Sequence, residues 1–290
     1  MQQKQPFTKS IIFNKVKFAA QMRKTVTITI ILFSFLYNAA QDSAQIYYHL
    51  GVNEFKQKRY QEAINDFTKS IQFHQSDSAY IQRGYAKQYI KGMGGSLADC
   101  DTAVTLNPHN PSAYFGRASA KSVKKDYYGA INDETMALLL DSNLWGAYIN
   151  RGNFKCSVHN YNGAVDDYTK AANIHPSWPS SYTLRARAKV SKKDYNGALA
   201  DYFICVNLDS CYAVTYYEIG EAYRLSGANH DAAKYYNKAI DLDPQTGYFY
   251  TAKGRTEVAL GLNKEGCKDI EAGLKLGDKY AIDFIARLCK

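Results

Sequence analysis

The side chains best able to do chemistry are few and scattered. The chain of 290 residues holds six Cys, at Cys100, Cys156, Cys205, Cys211, Cys267 and Cys289, and six His, at His49, His74, His109, His159, His175 and His230. A structural zinc needs four ligands, and a Cys–His or Ser–His–Asp centre needs nucleophile, base and orienting group in one place. Cys156-x-x-His159 offers two ligands with no second pair beside it, and no H-E-x-x-H occurs. Gly92-Met93-Gly94-Gly95-Ser96 has the composition of a phosphate loop but lacks its Lys and its strand-to-helix setting. These residues point to a non-enzymatic protein with neither metal nor cofactor.

One set of charges is periodic. Arg83, Arg117, Arg151 and Arg185 stand 34 residues apart, and each is followed 16 residues later by Asp99, Asp133, Asp167 or Asp201. Lys253 and Asp269 repeat the spacing, and Lys87, Lys121, Lys155 and Lys189 lie one helical turn beyond each Arg. The spacing predicts an Arg–Asp pair between the two helices of a hairpin, fixing its register. An exposed pair of this kind contributes only about 0–1 kcal/mol. A basic stripe facing a partner is the rival reading; loss of Arg and Asp together, at Ile219 and Tyr235, favours pairing.

The period extends beyond the charges. Seven units begin near residues 44, 77, 111, 145, 179, 213 and 247. Position four is always Tyr: Tyr47, Tyr80, Tyr114, Tyr148, Tyr182, Tyr216 and Tyr250. Positions eight, twenty and twenty-seven are small, as in Gly152, Ala164 and Ala171 of the fourth unit. Positions four, eight and eleven form one helical stripe, and twenty, twenty-four and twenty-seven another. Each unit therefore reads as two helices joined by a short turn, with small residues letting the backbones approach. Pro108, Pro176 and Pro244 close units two, four and six, because Pro cannot continue a helix.

On these residues the chain resembles the tetratricopeptide repeat family over 44–278, most closely in unit four with Tyr148, Gly152, Tyr161, Ala164, Tyr168, Ala171 and Pro176. Unit one departs with Gln75 where Pro is usual, and unit two with Lys91-Gly92-Met93-Gly94-Gly95 in its turn. The resemblance implies an all-α fold, a right-handed α-solenoid of about seven helical hairpins with a concave groove, used as a binding scaffold. It also implies that positions two, five, nine, twelve and thirteen of each first helix line that groove. Here they supply Tyr48, Phe55, Ile81, Tyr85, Tyr89 and Phe115 at one end, Asn153 in the middle, and Arg187, Tyr217, Glu221, Arg224, Tyr248 and Arg255 at the other. The groove so read is aromatic at one end and basic at the other, which suits an extended peptide with apolar residues and an acidic group or terminus. The Lys/Asn clamp of co-chaperone members is missing, since unit one has Tyr48 and Val52 there.

Two segments flank the repeats. Residues 279–290 place Ala281, Phe284, Ile285 and Leu288 on one face and read as a capping helix over the last hairpin. An antiparallel turn near Gly277 brings Cys267 and Cys289 nearly level, so a disulfide is expected in an oxidising compartment; two half-buried thiols are the alternative. At the other end, Met22-Arg23-Lys24, the apolar run Thr25–Tyr37 and the exit Asn38-Ala39-Ala40 have the layout of a secretory signal peptide over 22–40. Translation would then begin at Met22, with 1–21 an over-called extension and an uncleaved anchor over 25–37 as the rival.

Composition limits the partners. Apolar residues at 46% and charged at 22% allow a packed core, and the six Cys are too sparse for a disulfide-built scaffold. No stretch of about 18 apolar residues occurs, which excludes a polytopic membrane protein. The net charge of +9 shrinks once Lys4, Lys9, Lys15, Lys17, Arg23 and Lys24 of the leader are set aside, leaving 30 basic against 27 acidic residues. That balance excludes a nucleic-acid binder by composition. A protein or peptide partner is expected, with membrane contact only through an uncleaved leader, in the periplasm or outside the cell; the rival readings are a membrane-tethered assembly subunit binding through its convex face or cap, and an accessory module of an envelope enzyme.

Overall fold

The computed structural model describes residues 7–90, 96–209 and 212–289, with side chains from residue 21 onward. Among the described residues it contains fifteen α-helices and no strand. These are α1 (Phe7–Lys56), α2 (Tyr60–Phe73), α3 (Asp77–Gln88), α4 (Ser96–Leu106), α5 (Pro111–Val123), α6 (Tyr127–Leu140), α7 (Trp145–Ser157) and α8 (Tyr161–Ile174). They continue as α9 (Pro179–Ser191), α10 (Tyr195–Leu208), α11 (Ala213–Leu225), α12 (Asn229–Leu242), α13 (Gly247–Ala259), α14 (Asn263–Lys275) and α15 (Ala281–Leu288). From α3 to α13, every odd helix starts at a residue where the sequence period places a unit. The glycine-rich turn of unit two, residues 91–95, lies outside the described residues. The first helix is the exception: α1 runs unbroken from Phe7 through residues 22–40 into the first repeat. No described helix is long and apolar enough to cross a membrane.

Local chemistry stops each first helix at the same place. Position fifteen is left-handed in six units: Lys58, Lys125, His159 and Lys193 at φ near +62°, and Gly227 and Gly261 near +85°. The reversed residue ends the ladder and turns the chain into the second helix. In three units an Asp or Asn then caps that helix, Asp126 accepting from Gly129 N–H, Asn160 from Gly163 and Asp194 from Gly197.

The chain divides into two compact units, residues 1–120 and 121–290. In the first, α1 packs on α2, α2 on α3 and α3 on α4. In the second, each helix from α6 to α14 packs on the next, and α15 lies on α14 and α13. Contacts between sequence neighbours are the mark of a solenoid of helical hairpins.

The core of each hairpin is a small–large interlock. Ala63, Ala164, Ala198 and Ala232 at position twenty are fully buried, as are Phe67, Tyr168, Tyr202, Tyr236 and Ile270 at position twenty-four. Burying each such large side chain is worth about 1.5–3 kcal/mol. The ring of Tyr168 lies so close to α7 that a Cβ on Gly152 would stand 2.6 Å from its Cε1, and Tyr236 crowds Gly220 in the same way. Where position eight is Ala186 instead, Tyr202 turns its hydroxyl to Glu218 of the next hairpin at 2.9 Å. Tyr168 and Tyr236 instead reach back to Asn153 and Glu221 of their own hairpins.

At the far end Ala281 of α15 is fully buried, Phe284 and Ile285 are half-buried, and Leu288 is mostly outside. Gly277, at φ +94°, makes the turn, and a Cys267–Cys289 disulfide ties the end of α15 to α14 with Cα atoms 5.6 Å apart.

Candidate binding face and the terminal pocket

The periodic charges form a clasp with more members than a pair. Arg151 donates to both Asp167 oxygens at 3.0 and 2.7 Å, and Lys155 reaches the same carboxylate at 2.8 Å. Arg83, Lys87 and Asp99 repeat this geometry, as do Arg185, Lys189 and Asp201. Asp133 takes Lys121 at 2.7 Å. Far from being exposed, the Asp167 and Asp201 side chains are only 4% and 3% accessible. Each Arg also donates backwards, to Thr68, Thr135 or Thr169 of the preceding hairpin, and Arg117 does the same to Asp101 at 3.3 Å. The guanidinium lies over the position-four Tyr of its own helix, at 5.3–5.6 Å in all four units. This one side chain therefore fixes the hairpin and its neighbour together. In unit six the set changes as a block. Tyr235 stacks on Tyr223 at 5.4 Å and meets Phe203 at 5.9 Å, an aromatic cluster in place of the clasp.

The residues expected along the groove divide three ways. Ile81 is turned inward, 3% exposed against Ala103 and Ala113. It is removed from the candidate face. Tyr48 is half-buried and tilts on Phe67, and Tyr85 packs toward Gly116. Phe115 is half-buried on α5. Phe55 and Tyr89 gather around Tyr60, with Tyr60 and Tyr89 stacked at 4.6 Å and Tyr89 well exposed. The first unit thus presents an aromatic surface.

In the second unit the basic character is mostly cancelled. Arg187 pairs with Glu218 at 2.7 Å and Arg224 with Glu221 at 2.7 Å. Burial alone would raise the Glu221 carboxyl, but donors from Arg224 and Tyr236 outweigh it and hold the group below the ordinary range. Asn153 is exposed and accepts from Tyr168. The remaining cation is Arg255, whose guanidinium lies over the Phe284 ring at 4.1 Å. Tyr217, Tyr248 and Arg255 meet α15 to enclose a cavity of about 340 Å3, with Asp283, Phe284 and Arg287 on its other wall. Its aromatic walls are packed together, with Tyr217 in contact with Tyr248 at 4.8 Å and Phe249 at 5.5 Å. The helix expected as a cap, α15, thus also forms part of this pocket. Phe284 and Arg287 lie three residues apart, the spacing of a single helical face.

A second feature escaped the sequence. Position twenty-four of unit three is Glu134, fully buried where four other units carry an aromatic ring. Asn150 donates to its Oε1 at 3.0 Å, while Oε2 is buried without a partner. Burial pushes this carboxyl up to about 8, which the Asn150 hydrogen bond and the Arg151 charge only partly offset. The remaining candidate chemistry is absorbed by packing: Cys156 lies 3.7 Å from the Tyr168 hydroxyl, and His159 Nδ1 lies 2.8 Å from that of Tyr161.

Comparison with known proteins follows this geometry. The tetratricopeptide repeat sequence profile matches residues 44–73 and 213–246, the first and sixth units. No curated protein matches the chain. Among solved structures, a tetratricopeptide repeat protein from Parabacteroides merdae superposes with a TM-score of 0.61 at 15% identity, covering 85% of this chain and 98% of its own. YrrB, a tetratricopeptide repeat protein with an unusual peptide-binding site, gives 0.53 at 18% identity, over 65% of this chain and 98% of its own. MamA from Desulfovibrio magneticus gives 0.54 at 18% identity, over 57% of this chain and 94% of its own. At these identities the structures share the fold. The profile on two units and the same Tyr and small-residue phase in the other five support a tetratricopeptide repeat protein.

Proposed function

We propose that the protein is a non-enzymatic interaction scaffold that holds an extended segment of a partner protein against the first-helix face of residues 121–290. The observation that carries this reading is the terminal cavity, where aromatic and charged side chains of α11, α13 and α15 converge on space for a side chain. Tyr and Arg are the anchors such interfaces favour. The likeness to YrrB supports a peptide as ligand by analogy of fold. Affinity capture from the parent cell with the full chain, beside a Tyr217→Ala/Tyr248→Ala variant, tests it. The partner is expected to be lost with the variant at unchanged helix content. A partner retained by both moves the interface to the opposite face.

The scaffold is proposed to act outside the cytoplasm, with residues 22–40 as the export signal. The basic start, short apolar run and small-residue exit support this, as does the disulfide, which suits an oxidising compartment. Mass spectrometry of the mature protein should find an N-terminus near Gln41. An intact peptide spanning residues 30–50 would leave the anchor over 25–37 as the surviving form of this reading.

A further inference from the structure

We infer that the cavity beneath α15 recognises a side-chain carboxylate that lies next to an aromatic residue in an extended partner segment. The inference rests on the groove reading above and gives it a chemical specificity.

Arg255 lines this cavity. Its guanidinium face is occupied by the Phe284 ring at 4.1 Å, which fixes the plane of the group. Stacking leaves the N–H edge of a guanidinium available, and that edge matches the two oxygens of a carboxylate. Among the described residues no carboxylate lies within ion-pair distance of Arg255, whereas Arg187 and Arg224 of the same face are matched by Glu218 and Glu221. Arg287 lines the same cavity and is likewise without an ion pair among the described residues. Asp278 and Asp283 line the same cavity, but among the described residues neither forms an ion pair with Arg255 or Arg287, so both guanidinium groups have donors left for a partner's carboxylate.

The rest of the lining selects what accompanies the charge. Tyr217 and Tyr248 form an edge-to-face wall, and an aromatic side chain stacks on such a wall with little loss of rotamer freedom. About 340 Å3 is room for a carboxylate and part of a neighbouring ring, and too little for a folded element. Asp278 and Asp283 at the cavity supply acceptors only, and so suit the backbone N–H groups on either side of an internal residue. A chain terminus offers such groups from one side, which is why a side chain is assigned.

The test is an array of octapeptides, acetylated and amidated at their ends, probed with the full-length protein. Each peptide holds one Phe in a Gly/Ser background, followed by Glu, Asp, Gln or Asn. The acidic peptides are expected to be retained roughly tenfold better than their amides, the size of one good charge-assisted contact. That preference should vanish with Arg255→Gln and weaken with Arg287→Gln. Because acid and amide are compared on one protein sample, a folding defect in a variant does not imitate the result. Binding without an acid preference, or a preference that survives both variants, overturns the carboxylate assignment and leaves the groove reading standing. Retention of Phe-Gln peptides only when their C-terminus is free overturns the choice of a side chain. Retention of no peptide at all overturns both readings.

Discussion

Glu134→Gln should stabilise the protein at neutral and alkaline pH and flatten its pH dependence. Glu134 is fully buried, its Oε2 has no partner, and burial raises its carboxyl to about 8. The unfolded chain releases this proton near the ordinary Glu value of about 4.3. Between those values the folded state holds one more proton than the unfolded state. A raised acid therefore contributes its stability fully below the unfolded value and loses it as pH rises toward the folded value. The loss is about 1.4 kcal/mol per pH unit, or roughly 4 kcal/mol by pH 7. Gln keeps the shape, keeps an acceptor for Asn150 Nδ2, and cannot ionise. Urea unfolding of the full chain, followed from pH 5 to pH 8, should show a falling midpoint in the wild type and a nearly level one in Glu134→Gln. Parallel curves for the two proteins would mean that Glu134 is ionised and satisfied in the folded state.

Asp167→Leu should cost far more than Arg151→Leu. A simple Arg–Asp pair would make the two losses similar. The cluster is instead two cations on one carboxylate, with Asp167 only 4% accessible. Removing Arg151 leaves Asp167 paired with Lys155 at 2.8 Å and gives up the Thr135 contact, a loss of about 1–2 kcal/mol. Removing Asp167 leaves Arg151 and Lys155 facing each other across a buried site, at about 3–5 kcal/mol. The double variant relieves that repulsion and should fall between the two. Hydrogen exchange across α7 and α8 reads the loss locally, which suits a repeat array whose hairpins open separately. Equal losses for the two single variants would show that Lys155 does not share the carboxylate. The same logic separates unit six, where Tyr235 and Tyr223 fill the site and no charge is left to strand.

The two results bear on how the chain divides its tasks. The clasp recurs in units two, four and five, where one Arg ties its own hairpin to the one before it. The departures fall where the clasp or the ring is replaced, at Glu134, at Tyr223 and Tyr235, and at Glu257. Glu257 stands where units two to five carry Lys and has its carboxyl raised, first by burial and then by Asp269.

The sequence by itself determined the helices, their phase and the residues that face the core. A 34-residue period of Tyr, small residues and turn chemistry is read locally, because helix propensity, capping and side-chain volume act over a few residues. It also determined that Arg and Asp recur 16 residues apart. It did not say that Arg151 stands equally 16 residues after Thr135 and binds in both directions, since spacing alone cannot tell an acceptor ahead from one behind. Only the tertiary structure decided that Ile81 points inward, that Glu218 and Glu221 cancel two of the groove's cations, and that α15 closes a cavity with Arg255. Those outcomes depend on which side chains of successive hairpins meet at the packing angle. That angle is set by the whole interlock of small and large residues, not by any one segment.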